Sequence, residues 1–119
     1  MNLTPVFKLL SDETRLRVIL LLSIEELCVC EICGILDEPQ PKISKILSKL
    51  RDLDLVFDKR KEKYVFYTIK DTNTLLNHTL RYILENMNDY PQLVIDQQRL
   101  STKADYIDQC ALETIKEIS

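Results

Sequence analysis

Apolar positions recur along most of this chain at helical spacing, and polar punctuation divides them into short elements. Thr4 is placed to cap a first helix with Pro5 at its opening, and Val6, Phe7, Leu9 and Leu10 supply its apolar side. Ser11 restarts the pattern. In SDETRLRVILLLSIEE the acids Asp12 and Glu13 fall in a first turn, where the helix dipole favours them, and Leu16, Ile19, Leu20 and Ser23 trace one face. A third, short helix is predicted over 30–36, bringing Cys33, Ile35 and Leu36 near the core.

DEPQP at 37–41 breaks the pattern, because each proline restricts its predecessor and neither fits a helix interior. From Pro41 to Leu53 the residues Ile43, Ile46, Leu47, Leu50 and Leu53 form one stripe, opposite a face of Lys42, Ser44, Lys45, Ser48, Lys49 and Arg51. Residues 55–57 and 64–69 then read as strands, rich in β-branched and aromatic residues, joined by the basic loop DKRKEK. Asp71 or Thr72 is placed to cap a helix over 73–87, with Leu75, Leu76, Leu80, Ile83, Leu84 and Met87 as its apolar stripe. Pro91 interrupts, and Leu93, Leu100, Ile107, Cys110, Ala111, Ile115 and Ile118 suggest one or two further helices.

Composition narrows the choices. A chain of 119 residues with 45 % apolar and 29 % charged residues fits one soluble core. Its single glycine, Gly34, argues for a mostly helical chain, since hairpins and sheets spend glycine on turns and bulges. No apolar run approaches the roughly 20 residues needed to cross a bilayer, and MNLTPVFKLLSDE lacks the basic region and cleavage site of a leader. The expectation is a cytoplasmic protein with no membrane partner. Net charge is −3, yet residues 42–63 carry eight Lys or Arg against four Asp or Glu, so a basic region rides on an acidic body.

Two short helices joined by a tight connection, the second with a basic and hydroxylic face, have the layout of a helix-turn-helix, and the hairpin behind it that of a wing. The fold expected is mostly α (α+β): a winged helix-turn-helix with one β-hairpin wing and dimerising terminal helices. Residues 1–89 would form the DNA-binding domain and 90–119 a C-terminal helical extension. Such a helix fits a major groove, and Lys59, Arg60, Lys61 and Lys63 of the wing can neutralise phosphates beside it. Surplus apolar residues in the helices at 3–10 and 73–87 point to a homodimer, with recognition helices about 34–36 Å apart.

Three of four cysteines, Cys28, Cys30 and Cys33, fall within six positions. In a reducing compartment such crowding indicates metal binding or redox chemistry rather than a disulfide framework. At about 100° per residue, Cys30 and Cys33 lie within about 60° of one another on a helix. Cys28 is about 200° from Cys30, so all three can share a ligand only if the backbone at Cys28 and Val29 is non-helical. Cys110 reads as packing and the lone His78 as a surface or core residue. Cys30 and Cys33 form a C-x-x-C, but no strand–helix–strand setting surrounds it, so disulfide oxidoreductase chemistry is disfavoured. No nucleophile–base pair, phosphate loop or His pair supports an enzyme. An interaction-only winged helix and a thiol-redox switch stand as alternatives.

ELCVCEIC followed by QPKISKILSKLRDLDLV and KYVFYTI resembles the arsenical-resistance branch of the ArsR/SmtB family of metal-sensing bacterial repressors, over residues 3–87. The resemblance implies a homodimer that binds double-stranded operator DNA and releases it when As(III) or Sb(III) is taken by Cys28, Cys30 and Cys33. On that pattern Gln40, Lys42, Ser44, Lys45, Ser48 and Lys49 face the DNA. A sensor of a divalent ion such as cadmium, lead or zinc is the nearest alternative; relatives of that kind recruit further cysteines from an N-terminal arm, and none precedes Cys28 here. The chain departs from the family's pattern at Pro39, where a serine is usual, and at Asp54 and Glu62, where glycines are.

Overall fold

The computed structural model describes residues 3–106. Cys110 and the other apolar residues of the tail lie outside them. The order is α1 (Leu3–Leu10), α2 (Glu13–Ile24), β1 (Leu27–Cys28), α3 (Val29–Leu36), α4 (Gln40–Asp52), β2 (Val56–Lys61), β3 (Tyr64–Ile69), α5 (Thr74–Glu85), a 3-10 turn (Met87–Asp89) and α6 (Pro91–Leu100). The winged helix-turn-helix read from the sequence is present: α3 and α4 are joined by three residues, and the β2–β3 hairpin follows.

At the centre stands α2, buried on more sides than its expected face allowed. Val18, Ile19, Leu20, Leu21 and Leu22 are all buried, whereas Ser23, assigned to that face, is exposed. Asp12 is not in the first turn but caps it, its carboxylate accepting the Arg15 N–H at 2.9 Å. Arg15 in turn donates to the carbonyls of Leu9 and Lys8, closing the end of α1. The N-cap of α5 is Asn73, one or two residues beyond the expected Asp71 or Thr72, and its side chain accepts the Leu76 N–H at 3.0 Å. Pro91 does not end a helix but opens α6, where its missing N–H costs nothing. Leu93 and Leu100 of α6 join the same core as α2, α3 and α4.

Among the described residues, three that are not glycine hold left-handed backbone: Asp37, Asp54 and Glu62, with φ of 55°, 59° and 57°. Asp37 and Asp54 each follow a helix, where glycine is the usual choice. Beyond them, Glu38 N–H reaches the Cys33 carbonyl at 3.1 Å and Leu55 N–H the Leu50 carbonyl at 3.0 Å, so both helix ends are closed as a glycine would close them. Asp54 is further held by an ion pair to Lys70.

Candidate nucleic-acid interface and cysteine site

The connection between α3 and α4 is rigid for local reasons. Asp37 turns the chain, and Pro39 stands as N-cap of α4 in extended conformation, without a side-chain bond. Its carbonyl accepts from Lys42 and Ile43 at 3.1 and 3.3 Å, so the backbone does the work a serine would share. Ile43, Ile46, Leu47 and Leu50 bury one side of α4. The other side presents Gln40, Lys42, Lys45, Ser48, Lys49 and Arg51 to solvent, with Ser44 half-buried. Lys42 pairs with Glu38 at 3.3 Å and Arg51 with Asp58 of β2 at 3.7 Å, tying this helix to the turn before it and the wing behind it.

The wing differs from the expected basic loop. Asp58, Lys59, Arg60 and Lys61 belong to β2, and only Glu62 and Lys63 form the turn. The polar run hid a strand because this hairpin projects beyond the core, where neither face needs to be apolar. Alternation then divides the cations: Lys59 and Lys61, opposite Phe66 and Tyr64, share one face, and Arg60, opposite Val65, takes the other. Lys61 pairs with Glu26 and stacks 5.3 Å from the centre of the Phe66 ring, while Lys63 stacks 5.6 Å from that of Tyr64.

A two-residue strand that periodicity did not reveal sits at the cysteines. β1 joins the hairpin in the order β1–β3–β2, with Leu27 opposite Tyr67 and Cys28 opposite Phe66. Cys28 is extended (φ −95°, ψ 169°) and is the N-cap of α3, so of the two residues expected to be non-helical for a shared three-sulfur site only Cys28 is, Val29 being the first residue of the helix. It forms a capping box in which sulfur replaces the usual hydroxyl. The Cys28 N–H donates to Glu31 Oε1 at 3.1 Å, and the Cys28 side chain faces the Glu31 backbone N–H in return. Both residues are buried, at 2 % and 4 % exposure. Burial pushes the Cys28 thiol up to about 11, only partly offset by the Glu31 backbone N–H.

Cys30 and Cys33 lie one turn apart on α3, both half-buried. Cys28 is a free thiol, and Cys30 is disulfide-bonded. Among the described residues, no three His, Cys, Asp or Glu side chains are grouped to hold a metal ion as they stand. A three-sulfur site therefore needs Cys30 reduced. His78 is exposed on α5, lining a cleft of about 440 Å³ with Ser23, Asp71 and Arg81, away from the cysteines.

A helical core, a three-residue turn into a basic helix and a hairpin behind it define the winged helix-turn-helix class. Comparison with known proteins makes the class specific. The family described as "Bacterial regulatory protein, arsR family" matches residues 12–57. The arsenical resistance operon repressor of Escherichia coli (strain K12) is 51 % identical over 65 residues, 54 % of this chain and 56 % of that protein. The chain thus spans little more than half the length of that relative. The arsenical resistance operon repressor of Staphylococcus aureus is 33 % identical over 88 residues, 73 % of this chain and 78 % of its own length. In fold, reduced HlyU from Vibrio cholerae N16961 matches with a TM-score of 0.60 at 28 % identity, over 67 % of this chain and 83 % of that one. The chain belongs to the arsR family of bacterial regulatory proteins. No helix among the described residues is long and apolar enough to cross a membrane.

Proposed function

We propose that this protein is a metalloid-responsive transcriptional repressor, a homodimer that holds double-stranded operator DNA and releases it when As(III) or Sb(III) binds Cys28, Cys30 and Cys33. Gln40, Lys42, Ser44, Lys45, Ser48 and Lys49 of α4 would read and grip the major groove, with Lys59, Arg60, Lys61 and Lys63 on the flanking backbone. The observation that carries this reading is the position of Cys28: the sulfur needed as a ligand is also the cap of the first helix of the helix-turn-helix. Taking Cys28 into a three-sulfur site strips that cap and leaves α3 N–H groups and the Glu31 carboxylate without their partners. The helix that seats α4 must then shift. Affinity for DNA falls, and by reciprocity DNA weakens the inducer by the same factor, roughly 5–150-fold for a typical coupling.

Soft sulfur donors suit a thiophilic trivalent ion. Condensation of neutral arsenous acid with three thiols forms three As–S bonds and releases three waters and no proton, so it does not need the thiolates that burial of Cys28 disfavours. The names of the two arsenical-resistance relatives support the same choice. Exposed apolar side chains, Phe7 of α1 at 57 % and Tyr82 of α5 at 65 %, supply a surface for the dimer. Fluorescence anisotropy on promoter DNA, with reduced protein titrated by arsenite, antimonite, cadmium and zinc, tests the proposal. Dissociation by the trivalent species supports it; dissociation by cadmium or zinc alone selects the divalent reading, and no sequence-dependent binding removes both.

A further inference from the structure

The C-terminal end of α3 is held from α6 and from Tyr106. Gly34 lies in its last turn, and a Cβ built there would meet Tyr106 Cγ at 2.1 Å and Tyr106 Cβ at 2.4 Å. The Tyr106 ring therefore rests on bare backbone of the cysteine helix. The Gly34 carbonyl, one of the last four that a helix leaves without an internal partner, accepts from Arg99 Nη2 at 2.7 Å. Arg99 Nε also donates to the Tyr106 hydroxyl at 3.3 Å, so one guanidinium joins the helix to the ring that covers it.

Arg99 stands on α6, and α6 is itself fixed. Asp96, 2 % exposed, accepts Arg17 Nε and Nη2 of α2 at 2.8 Å each, and Gln92 Nε2 at 3.1 Å. A line of charged hydrogen bonds thus runs from the central helix through α6 to the end of α3. We propose that Arg99 and Tyr106 are positioning residues: clamped on Gly34, they hold α3 in the geometry that seats α4 on DNA, and the withdrawal of Cys28 at the other end of α3 on inducer binding has to work against them. This rests on the reading above for the inducer, but not for the clamp itself. Loosening the clamp makes the shifted α3 easier to reach, so it weakens operator binding and strengthens inducer binding together.

The test uses the full chain, pre-reduced, and follows iodoacetamide alkylation of Cys28 by mass spectrometry, since its thiol is reached only when α3 opens. Arg99→Gln and Tyr106→Ala should raise the Cys28 rate roughly tenfold, the factor that about 1.4 kcal/mol produces. Tyr106→Phe, which keeps the ring on Gly34, should stay near the wild-type rate. In parallel, anisotropy should give both loosening variants a weaker operator complex and a lower arsenite concentration for release. Unchanged Cys28 alkylation overturns the clamp, as does acceleration matched by equal loss of amide protection throughout the core, which would mean fold stability alone. A wild-type complex indifferent to arsenite would remove the proposed function instead, while alkylation and operator affinity still decide the clamp.

Discussion

The two ends of α3 are closed by different chemistry. At the start, a buried thiol and a buried carboxylate cap the helix, and sulfur is a weak acceptor. At the finish, a guanidinium donates to a helix carbonyl and is backed by a part-buried bidentate ion pair on its own helix. Weak closure at Cys28 and strong closure at Gly34 make an element that yields more readily at its start. The difference explains how a small ligand could tilt a helix without unfolding the domain. It also places the weakly capped end against the wing, since Cys28 pairs with Phe66 of β3 and any withdrawal of Cys28 pulls on that ladder.

The firm end is the easiest to break decisively. Asp96→Ala leaves the half-buried Arg17 without its partner and should cost about 2–3 kcal/mol in urea unfolding; a loss below about 1 kcal/mol would mean the pair behaves as a surface one. Gly34→Ala should cost about 1–3 kcal/mol by overpacking against Tyr106, and Tyr106→Ala should recover part of that loss in the double variant. At the yielding end, Glu31→Ala removes half the capping box and should cost about 0.5–2 kcal/mol. Cys28→Ser should keep the fold and the operator complex, because serine is the better N-cap, yet lose the response to arsenite. If Cys28→Ser destabilised as much as Glu31→Ala, the sulfur would matter for packing more than for release.

The smallest effects are those of pH. The folded state holds the Cys28 proton more tightly than the unfolded chain does, with a thiol raised by burial from 9.0 to about 11. Its contribution to stability is complete below the lower value and is lost as pH rises to the upper one. Urea midpoints on either side of that window should fall more in wild type than in Cys28→Ala. Arsenite affinity should stay flat with pH below that window, because condensation with thiols releases only water. A divalent cation displaces a proton from each thiol and should weaken steeply as pH falls.

Much of this arrangement was legible in the sequence where burial makes a pattern. The stripe of Ile43, Ile46, Leu47 and Leu50 gave α4 and its polar face, while the angular offset of Cys28 from Cys30 asked, for a shared ligand, that Cys28 and Val29 both be non-helical, and only Cys28 is extended. Elements whose cause lies elsewhere in the chain were hidden. A two-residue strand such as β1 has no period of its own and exists through its pairing with β3. The run DKRKEK concealed a strand because its faces meet solvent. Arg17 and Asp96 are 79 residues apart, and charged residues are assigned to the surface unless a partner is known. Gly34 marked a helical composition; that it makes room for Tyr106 required the third dimension.

Amide exchange at the start of α3 reads the central claim most directly. With arsenite bound to the reduced protein, the Glu31 backbone amide should lose protection while the amides of α2 keep theirs, and operator affinity should fall in the same titration. Arsenite bound at the thiols with Glu31 protection intact, and the operator nonetheless released, would show that Cys28 never leaves its cap and would contradict the account.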